Sequence, residues 1–371
     1  MRAFCFGKPR QADRARPDLR ILLVLLSAGF AGTERHAVEL ANGLCDHADV
    51  AMVLRKRPSE PHRHAEYDAL RRAIDPRITI FESRRAIPHS GVLRAILKFR
   101  PRIIHAHYER SARVAAFCAR FFGVPVVATI HVHYRERDFG RCAALVALTE
   151  AENRRAGTAF PREIAVIGNW VIPPPVRRKS APGEHQANRA RFGIGPAEFV
   201  VGSIGRLAPV KSIDGLISAF AAAGLPDARL VIVGDGSERP RLEALAETLG
   251  LGDRVCFTGF TEDVWSAYSL FDVFVLNSRD EPFGLVILEA LAMGVPVIAT
   301  ATDGACAIAE RLPVTLIPPN SPEALVRALR TAATGSRAGT PATDCSGFLL
   351  ADRLPELIAL YHRVMHRVLP V

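Results

Sequence analysis

Short, fully apolar runs alternate along the chain with longer stretches whose apolar residues recur at helical spacing. In the first half the apolar runs begin at residues 21, 50, 78, 103, 124 and 144, and the second half repeats the pattern from residue 199. A strand that is apolar throughout is typical of a parallel sheet covered by helices on both faces. The alternation therefore predicts an α/β fold with a mostly parallel sheet in each half.

The alternation stops between residues 172 and 197, where three prolines, a basic cluster and a polar stretch follow one another. This composition is typical of a linker, and 371 residues suffice for two domains. We predict a loose tail over residues 1–18, a first domain over 19–180, a second over 181–350 and a closing helix over 351–371. Residues 332–347, rich in Ala, Gly, Thr and Ser, predict a surface excursion.

Hydropathy and cysteine content narrow the class of protein. The mean hydropathy of +0.13 is high, yet no run of 18 apolar residues occurs, so we expect no membrane-spanning helix. The longest apolar block, residues 21–32, fits either a buried strand or the core of a signal peptide. Seven cysteines without a C-x-x-C pair argue against a disulfide scaffold or a zinc knuckle, and for a reducing compartment.

The charge is divided unevenly between the halves. Residues 1–195 hold 34 Lys and Arg against 18 Asp and Glu, a net charge of +16. Residues 196–371 hold 14 against 20, a net charge of −6, and the whole chain has +10. A basic half is typical of a protein that contacts nucleic acid, an anionic membrane surface or a phosphorylated substrate.

Residues 91–102 predict an amphipathic helix in the basic half. The basic residues Arg94, Lys98 and Arg100 are predicted to face outward, where anionic lipid headgroups can reach them. The predicted apolar stripe, which packs on a sheet, consists of Val92, Leu93, Ile96, Leu97 and Phe99.

Two loops that follow apolar runs contain candidate anion-binding residues. Gly32 follows the first run, where the backbone of a helix N-terminus can approach a phosphate, although an ordinary tight turn fits the same residues. Arg206 and Lys211 follow the first run of the second half. The chain has 43 Arg and 5 Lys, so a lysine here favours a diphosphate clamp, with a solvated loop as the alternative.

A third candidate region contains two glutamates around a helix start. Glu281 lies in a loop, Gly284 opens a strongly apolar helix, and Glu289 lies within that helix. A carboxylate in such surroundings needs a ligand or a structural cation as its partner. Helical geometry predicts a separation of about 12 Å between the two glutamates, against ~5 Å for a retaining glycosidase pair, and hence separate roles.

The histidines occur as H-x-H at 62/64, 105/107 and 131/133. His107 and His131 each follow an apolar run, at the end of a strand where ligands bind, but a third metal ligand is not evident. No D-x-D occurs, so the carboxylate pair that holds Mg²⁺ or Mn²⁺ on a sugar diphosphate is missing.

Taken together, the motifs of the second half resemble the retaining glycosyltransferases of family 4. They are GRLAPVKSIDGLI from residue 205, GDGS from 234, FTGF from 257, and two glutamates with seven residues between them before GVPVIA from 294. The first half is similar through GTERHAVELA from residue 32, IHAH from 104, TIH from 129 and VIGN from 166. The resemblance covers residues 20–330 and implies the GT-B architecture, in which two Rossmann-like domains face a central cleft.

The resemblance implies which residues hold the donor, a nucleotide sugar. Arg206 and Lys211 are expected to hold its diphosphate, and Glu289 its ribose hydroxyls. Gly32 is expected to close on the diphosphate from the first domain, which itself is expected to bind the acceptor. The resemblance also identifies residues 21–27 as the first strand rather than a signal peptide.

The catalytic candidates are His131 and Glu281. By resemblance, His131 lies at the donor sugar, while Glu281 and the backbone of Gly284 and Leu285 meet the sugar and its phosphate. The family works without a metal, which agrees with the missing D-x-D, so we expect neither a metal nor another cofactor. Two departures from the family pattern are an alanine before Gly32 and DGAC from residue 303 in place of a glycine pair followed by Glu.

The sequence therefore predicts a retaining glycosyltransferase that uses a nucleotide sugar. No nucleophile for double displacement is evident, which favours front-face attack by the acceptor hydroxyl. We expect a lipid-linked or phosphorylated saccharide acceptor in bacterial envelope polysaccharide or lipopolysaccharide synthesis, in the cytoplasm and peripherally on the inner face of its membrane. The alternatives are a basic nucleic-acid-binding α/β protein, although no nucleic-acid motif is recognised, and a sugar-nucleotide epimerase or phosphorylase of the same fold.

Overall fold

The computed structural model of the protein describes residues 19–27, 32–57, 64–173, 189–190, 192–335 and 342–368. The predicted tail over residues 1–18, the glycine loop before Gly32, most of the predicted linker and part of the predicted excursion lie outside these residues. No helix in the described ranges is both long enough and apolar enough to cross a membrane.

The first domain is built on a parallel sheet. Its strands are β1 (Arg20–Leu25), β2 (Asp49–Arg55), β3 (Thr79–Ser83), β4 (Ile103–His107), β5 (Val126–Ile130), β6 (Ala144–Ala147) and β7 (Glu163–Val166). Among the described residues they pair in the order β3-β2-β1-β4-β5-β6-β7, and each pair is parallel. The described residues form an apolar core on each face of this sheet, as the continuous apolar runs predicted.

Helices connect these strands and cover the sheet. They are α1 (Gly32–Leu44), α2 (His64–Ala73), α3 (Pro88–Phe99), α4 (Glu109–Ala119), α5 (Glu136–Phe139) and α6 (Glu150–Gly157). Thr149 is the N-cap of α6, because its side chain accepts a hydrogen bond from the backbone N–H of Glu152 at 3.2 Å. The strand–helix alternation predicted for this half is therefore present.

The second domain repeats the same plan. Its strands are β8 (Phe199–Ile204), β9 (Ala228–Val233), β10 (Val255–Gly259), β11 (Val273–Leu276), β12 (Val297–Thr300) and β13 (Val314–Ile317). Within the described residues they form a parallel sheet in the order β10-β9-β8-β11-β12-β13. Its helices are α7 (Ile213–Ala223), α8 (Arg239–Thr248), α9 (Val264–Tyr268), α10 (Leu285–Ala292), α11 (Asp303–Ala309) and α12 (Pro322–Thr334).

The last helix, α13 (Leu350–Val368), returns to the first domain. It packs against α1, and its apolar side chains Leu357, Leu360, Tyr361 and Val364 belong to one core of the first domain. The hydroxyl of Tyr361 also lies 2.5 Å from Nδ1 of His105 on β4. The closing helix thus ties the end of the chain to the sheet of the other domain.

Three details differ from the sequence predictions. Strands β7 and β13 were not predicted, because each is a short edge strand that is partly exposed and does not read as a buried apolar run. Leu97 was placed in the apolar stripe of its helix, but it is 60% exposed. The predicted excursion over residues 332–347 is partly wrong, since residues 332–334 end α12 and Cys345 is buried in the second domain.

We expect the substitution Leu360→Ala in α13 to destabilise the protein by about 2–5 kcal/mol, because it removes a fully buried side chain and leaves a cavity. Denaturant unfolding measures this loss. Glu356→Ala on the exposed side of the same helix is the matched control and should change stability little. An unchanged unfolding midpoint for Leu360→Ala would show that α13 does not pack on the first domain.

Candidate active site

A cavity of about 220 Å³ lies between the two domains. In both sheets the strand order reverses direction beside the first strand, at β1/β4 and at β8/β11. Parallel α/β sheets bind ligands outside the carboxyl ends of their strands at such a reversal. The residues that line the cavity include Gly32 and Arg35 from the first domain and Arg206, Phe260, Leu285 and Glu289 from the second.

Four of the predicted donor-site residues therefore meet in one cavity: Gly32, Arg206, Leu285 and Glu289. Gly32 begins α1 and faces Leu285, the first residue of α10, because a Cβ atom placed on Gly32 would lie 3.5 Å from Leu285 Cδ1. The N-termini of two helices from different domains thus approach each other across the cleft. Such N-termini present backbone N–H groups that suit an anion.

Close packing of two loops forms one wall of this cavity. Gly234 follows β9 with φ of +132°, and a Cβ atom there would lie 2.0 Å from the carbonyl oxygen of Gly205. A larger residue would push the two loops apart. Glycine at this position therefore keeps Arg206, the residue after Gly205, against the cavity.

Glu289 lies in α10 and is buried, with a side chain 3% exposed. Its Oε1 pairs with the guanidinium of Arg35 from the first domain, and its Oε2 accepts a hydrogen bond from the hydroxyl of Tyr268 at 2.7 Å. The partner that Glu289 needs is therefore a cation of the protein, Arg35, which reaches it from the other domain. Arg35 also lies 3.4 Å from Glu39, whose Oε2 accepts a hydrogen bond from Trp170 Nε1 at 3.0 Å.

Lys211 and Glu281 form a second ion pair. Lys211 Nζ lies 2.5 Å from Glu281 Oε2, and the two residues follow the carboxyl ends of β8 and β11. Gly284, with φ of +91°, caps α10 three residues further on. Because α10 begins at Leu285, Glu281 lies before the helix rather than within it, and the two predicted glutamates hold different cations.

His131 lies apart from the lining of the cavity, in a group of buried histidines. Its Nε2 is 3.0 Å from Nδ1 of His107, and the rings of His107 and His105 stack with centroids 4.6 Å apart. His36 meets His131 edge to face at 5.5 Å and stacks on Trp170 at 3.8 Å. The strand periodicity that places His105 and His107 two residues apart accounts for part of this cluster.

Burial makes these histidines poor bases. It lowers the pKa of His105 and of His131 to about 3, and repulsion by His105 adds to the effect on His131. It also lowers the pKa of His36 and of His107 well below the ordinary value of 6.5. At neutral pH His131 is therefore a neutral imidazole, able to hydrogen-bond but not to act as a cation. Among the described residues, no three His, Cys, Asp or Glu side chains form a metal-binding cluster.

Sequence reasoning missed the residues that join the domains. Arg35 stands inside the motif from residue 32, but nothing in the spacing linked it to Glu289, 254 residues away. Further polar contacts between the domains include Arg155 Nη1 to Asp303 Oδ2 at 2.5 Å, His133 Nε2 to Asp280 Oδ2 at 3.1 Å and Arg72 Nη2 to Glu262 Oε1 at 2.8 Å. A cation one turn into the helix after the first strand was the available signal for Arg35.

The one glycine that remains in the departure from the family pattern at residue 303 has a packing role. A Cβ atom on Gly304 would lie 2.3 Å from the backbone of Phe283, so the N-terminus of α11 packs directly on the loop before α10. The backbone N–H of Gly304 donates to the carbonyl of Glu281 at 3.2 Å. One glycine at this position thus still allows the close approach, while Asp303 pairs with Arg155.

The buried histidines predict that stability falls as the pH falls below about 7. Their pKa values are lowered in the folded state, so the unfolded chain binds more protons than the folded chain between pH 3 and the unfolded value near 6.5. Each such histidine should remove about 1 kcal/mol of the free energy of unfolding between pH 7 and pH 5.5. Urea unfolding at a series of pH values measures the slope.

A buried histidine can be compared with an exposed one. Replacing His105 by Gln should make the free energy of unfolding fall less steeply with decreasing pH, by about the share of one histidine. His47→Gln, at an exposed position, should leave this pH dependence unchanged. An identical slope in both variants would contradict the neutral, buried state of His105.

Family models match both domains. Residues 30–173 match the model Glycosyltransferase Family 4, and residues 184–338 match Glycosyl transferases group 1. The chain is also similar to HepE of Anabaena, whose structure was solved in complex with UDP and glucose. That likeness has a TM-score of 0.78 at 23% identity and covers 93% of this chain and 99% of HepE. It shows the fold, so the predicted GT-B architecture is confirmed.

Curated relatives carry two kinds of name. D-inositol 3-phosphate glycosyltransferase from Mycobacterium sp. (strain KMS) is 32% identical over 58% of this chain. The match spans about half (55%) of that relative's length. Its namesake from Mycolicibacterium gilvum (strain PYR-GCK) is 30% identical over 74% of this chain and 70% of its own length. The lipopolysaccharide core biosynthesis glycosyltransferase LpsD from Rhizobium meliloti (strain 1021) is 34% identical over 57% of this chain and 58% of its own length.

The family predicted from the motifs is therefore confirmed: the chain belongs to the family 4 glycosyltransferases, and its second domain is of the type called glycosyl transferases group 1.

Proposed function

We propose that the protein is a retaining glycosyltransferase that moves a sugar from a nucleotide sugar to a lipid-linked or phosphorylated saccharide. The observation that carries the proposal is the cavity between the domains, where Gly32, Arg206, Leu285 and Glu289 meet. These residues stand in the motifs that resemble the family's donor site. The complex of HepE with UDP and glucose supports a donor of this class.

In the proposed complex the donor diphosphate lies between cations and helix N-termini. Arg206 and Lys211 neutralise its charge, and the backbone N–H groups at Gly284 and Leu285 donate to its oxygens. Gly32 approaches from the first domain, and the carboxylate of Glu289 accepts hydrogen bonds from the ribose hydroxyls. Each group is complementary to the part of a nucleoside diphosphate assigned to it.

The proposed chemistry is front-face displacement with retention. The bond between the anomeric carbon and the diphosphate oxygen breaks, and its electron pair leaves on the nucleoside diphosphate. The acceptor hydroxyl attacks from the same face, a new carbon–oxygen bond forms, and the hydroxyl proton passes to the leaving phosphate. Arg206 and Lys211 stabilise the charge that develops on that phosphate.

The two catalytic candidates orient the donor sugar in this proposal. Glu281 lies 2.5 Å from Lys211, and we propose that its carboxylate accepts hydrogen bonds from sugar hydroxyls beside the diphosphate. His131 acts as a neutral hydrogen-bonding group, because burial lowers its pKa to about 3 and leaves the imidazole unprotonated at pH 7. We propose no metal ion and no other cofactor, since the chain has no D-x-D and its own cations suit the diphosphate.

The acceptor is proposed to bind in the basic first domain. The relatives named for D-inositol 3-phosphate and for lipopolysaccharide core synthesis support a phosphorylated or lipid-linked saccharide of the bacterial envelope. The charge of +16 over residues 1–195 suits an anionic acceptor. We propose cytoplasmic activity, which the scattered cysteines without a C-x-x-C pair support.

We further propose that α3 and the end of α4 dock on an anionic membrane surface. These two helices pack together, and apolar side chains beside them are exposed: Ile87 by 56%, Leu97 by 60% and Phe121 by 62%. The exposed basic residues of this membrane-facing surface include Arg84, Arg85, Arg94, Lys98, Arg100 and Arg120. Apolar groups among cations are typical of a surface that binds anionic lipid headgroups reversibly.

Arg206→Ala and Lys211→Ala should each lower kcat by roughly 100-fold or more, because each removes a cation from the leaving diphosphate. Product formation from a nucleotide sugar, chosen by thermal-shift screening of such donors, measures the loss. Arg327→Ala, an exposed arginine on α12, is the control and should keep wild-type turnover. Turnover at the wild-type rate in either site variant would remove that residue from the donor site.

Activity should survive an excess of EDTA, because Arg206, Lys211 and helix N-termini supply the positive charge that a metal ion supplies elsewhere. Initial rates with and without EDTA, after dialysis into metal-free buffer, provide the measurement. Loss of activity with EDTA that Mn²⁺ restores would contradict metal independence.

The full chain should sediment with vesicles rich in anionic lipid at low salt, be released at high salt, and remain unbound with neutral vesicles. Replacing Arg94, Lys98 and Arg100 together by Glu should weaken binding with little change in unfolding, since all three are exposed. Lys98→Glu should weaken binding more than Arg327→Glu, which changes the net charge equally on the other domain.

A different result would assign the basic surface to the acceptor alone. That result is no binding to anionic vesicles at low salt, together with a lower acceptor affinity in the triple variant.

A further inference from the structure

We propose that Arg35 occupies the ribose position of the donor site while no donor is bound, and that it transfers to the donor diphosphate when the ribose hydroxyls reach Glu289. The inference rests on the proposed function, because it assigns a donor-binding role to a residue of the same site. It adds a ligand of the diphosphate that comes from the first domain and links donor binding to the contact between the domains.

The first observation is how Glu289 is bonded. Its carboxylate is 3% exposed, and the guanidinium of Arg35 lies on one oxygen while the hydroxyl of Tyr268 lies on the other. Arg35 and Glu289 both line the cavity between the domains. A ribose that reaches Glu289 through this cavity therefore meets the guanidinium of Arg35 and has to replace it on the carboxylate.

The second observation is that replacement alone is unfavourable. A buried carboxylate that loses its cation is left with uncompensated charge, which destabilises a protein strongly. Two ribose hydroxyls supply hydrogen bonds but no positive charge. A nucleoside without phosphates therefore has to break the Arg35–Glu289 ion pair without offering the arginine another anion.

The third observation is that a diphosphate offers such an anion within the same cavity. Arg35 lies in the first turns of α1, near Gly32, and Arg206 lines the cavity with it. A planar guanidinium with several donors suits phosphate oxygens in bidentate geometry. Glu39, which accepts a hydrogen bond from Trp170, lies 3.4 Å from Nε of Arg35, so a second carboxylate lies beside the guanidinium.

The exchange makes the nucleoside and the diphosphate respond oppositely to a change at Arg35. Arg35→Gln removes the competitor of the ribose and should tighten nucleoside binding by about threefold or more. The same change removes a charged contact to the diphosphate and should weaken nucleoside diphosphate binding by about tenfold. A general defect in folding weakens both ligands and does not produce opposite signs.

Calorimetric titration of the full chain with UDP, GDP and ADP, and with uridine, guanosine and adenosine, tests the proposal. The base whose diphosphate binds the wild type most tightly is used for the comparison of variants. The expected result is that the affinity ratio of diphosphate to nucleoside falls by about thirtyfold in Arg35→Gln. Unchanged nucleoside affinity would overturn the exchange, and unchanged or tighter diphosphate binding would overturn the transfer to phosphate.

Two further variants separate this role from a structural one. Arg35→Lys keeps the cation and should recover most of the diphosphate affinity. If Arg35→Gln does not melt cooperatively, Arg35→Lys takes its place and should show tighter nucleoside binding and weaker diphosphate binding, each by a smaller factor. Arg72→Gln breaks another contact across the cleft, with Glu262 at 2.8 Å between exposed side chains, and should alter neither affinity. Equal effects of Arg72→Gln and Arg35→Gln would assign the result to domain contact in general.

The outcomes also distinguish this inference from the proposed function. If no diphosphate binds the wild type, the donor-site proposal fails and the inference fails with it. If a diphosphate binds the wild type and depends on Arg206 and Lys211 but not on Arg35, the proposed function stands and the inference alone is wrong.

Discussion

Both sheets are parallel throughout and must be buried on both faces, and the rest of the structure follows from this constraint. Helices cover the faces, and the residues that the structure describes form four apolar cores between helices and strands. The carboxyl ends of the strands are then the edges where loops can carry polar side chains. The two domains present these edges to each other, so that the loops after β1 and β8 meet in a common cavity.

Charge pairing across that cavity is the second constraint. Glu289 is buried in an apolar helix, and the first domain supplies its cation through Arg35. Arg155 and Asp303 make a comparable contact nearer the surface. Since a buried charge without a partner is unfavourable, the charged groups of the cleft pair with one another across it. A donor that binds between the domains has to offer these groups equivalent partners.

Much of the fold could be predicted from the sequence, because a strand that is buried on both faces is a continuous apolar run. The apolar runs marked the central strands such as β1 and β5, whereas the exposed edge strands β7 and β13 carried no such mark. Leu97 shows the limit on helices: its spacing fits the buried stripe, yet it lies 60% exposed beside Lys98. Periodicity indicates a face but does not say how far the neighbouring element covers it.

The sequence by itself determined the two-domain α/β plan, the family and the candidate residues Arg206, Lys211, Glu281 and Glu289, because these depend on local periodicity and on motifs within short segments. The tertiary structure decided their partners. It placed Arg35 on Glu289 and Lys211 on Glu281, and it buried His131 among other histidines until its pKa fell to about 3. Ion pairing and desolvation depend on groups far apart in the chain, so they arise when the fold brings those groups together.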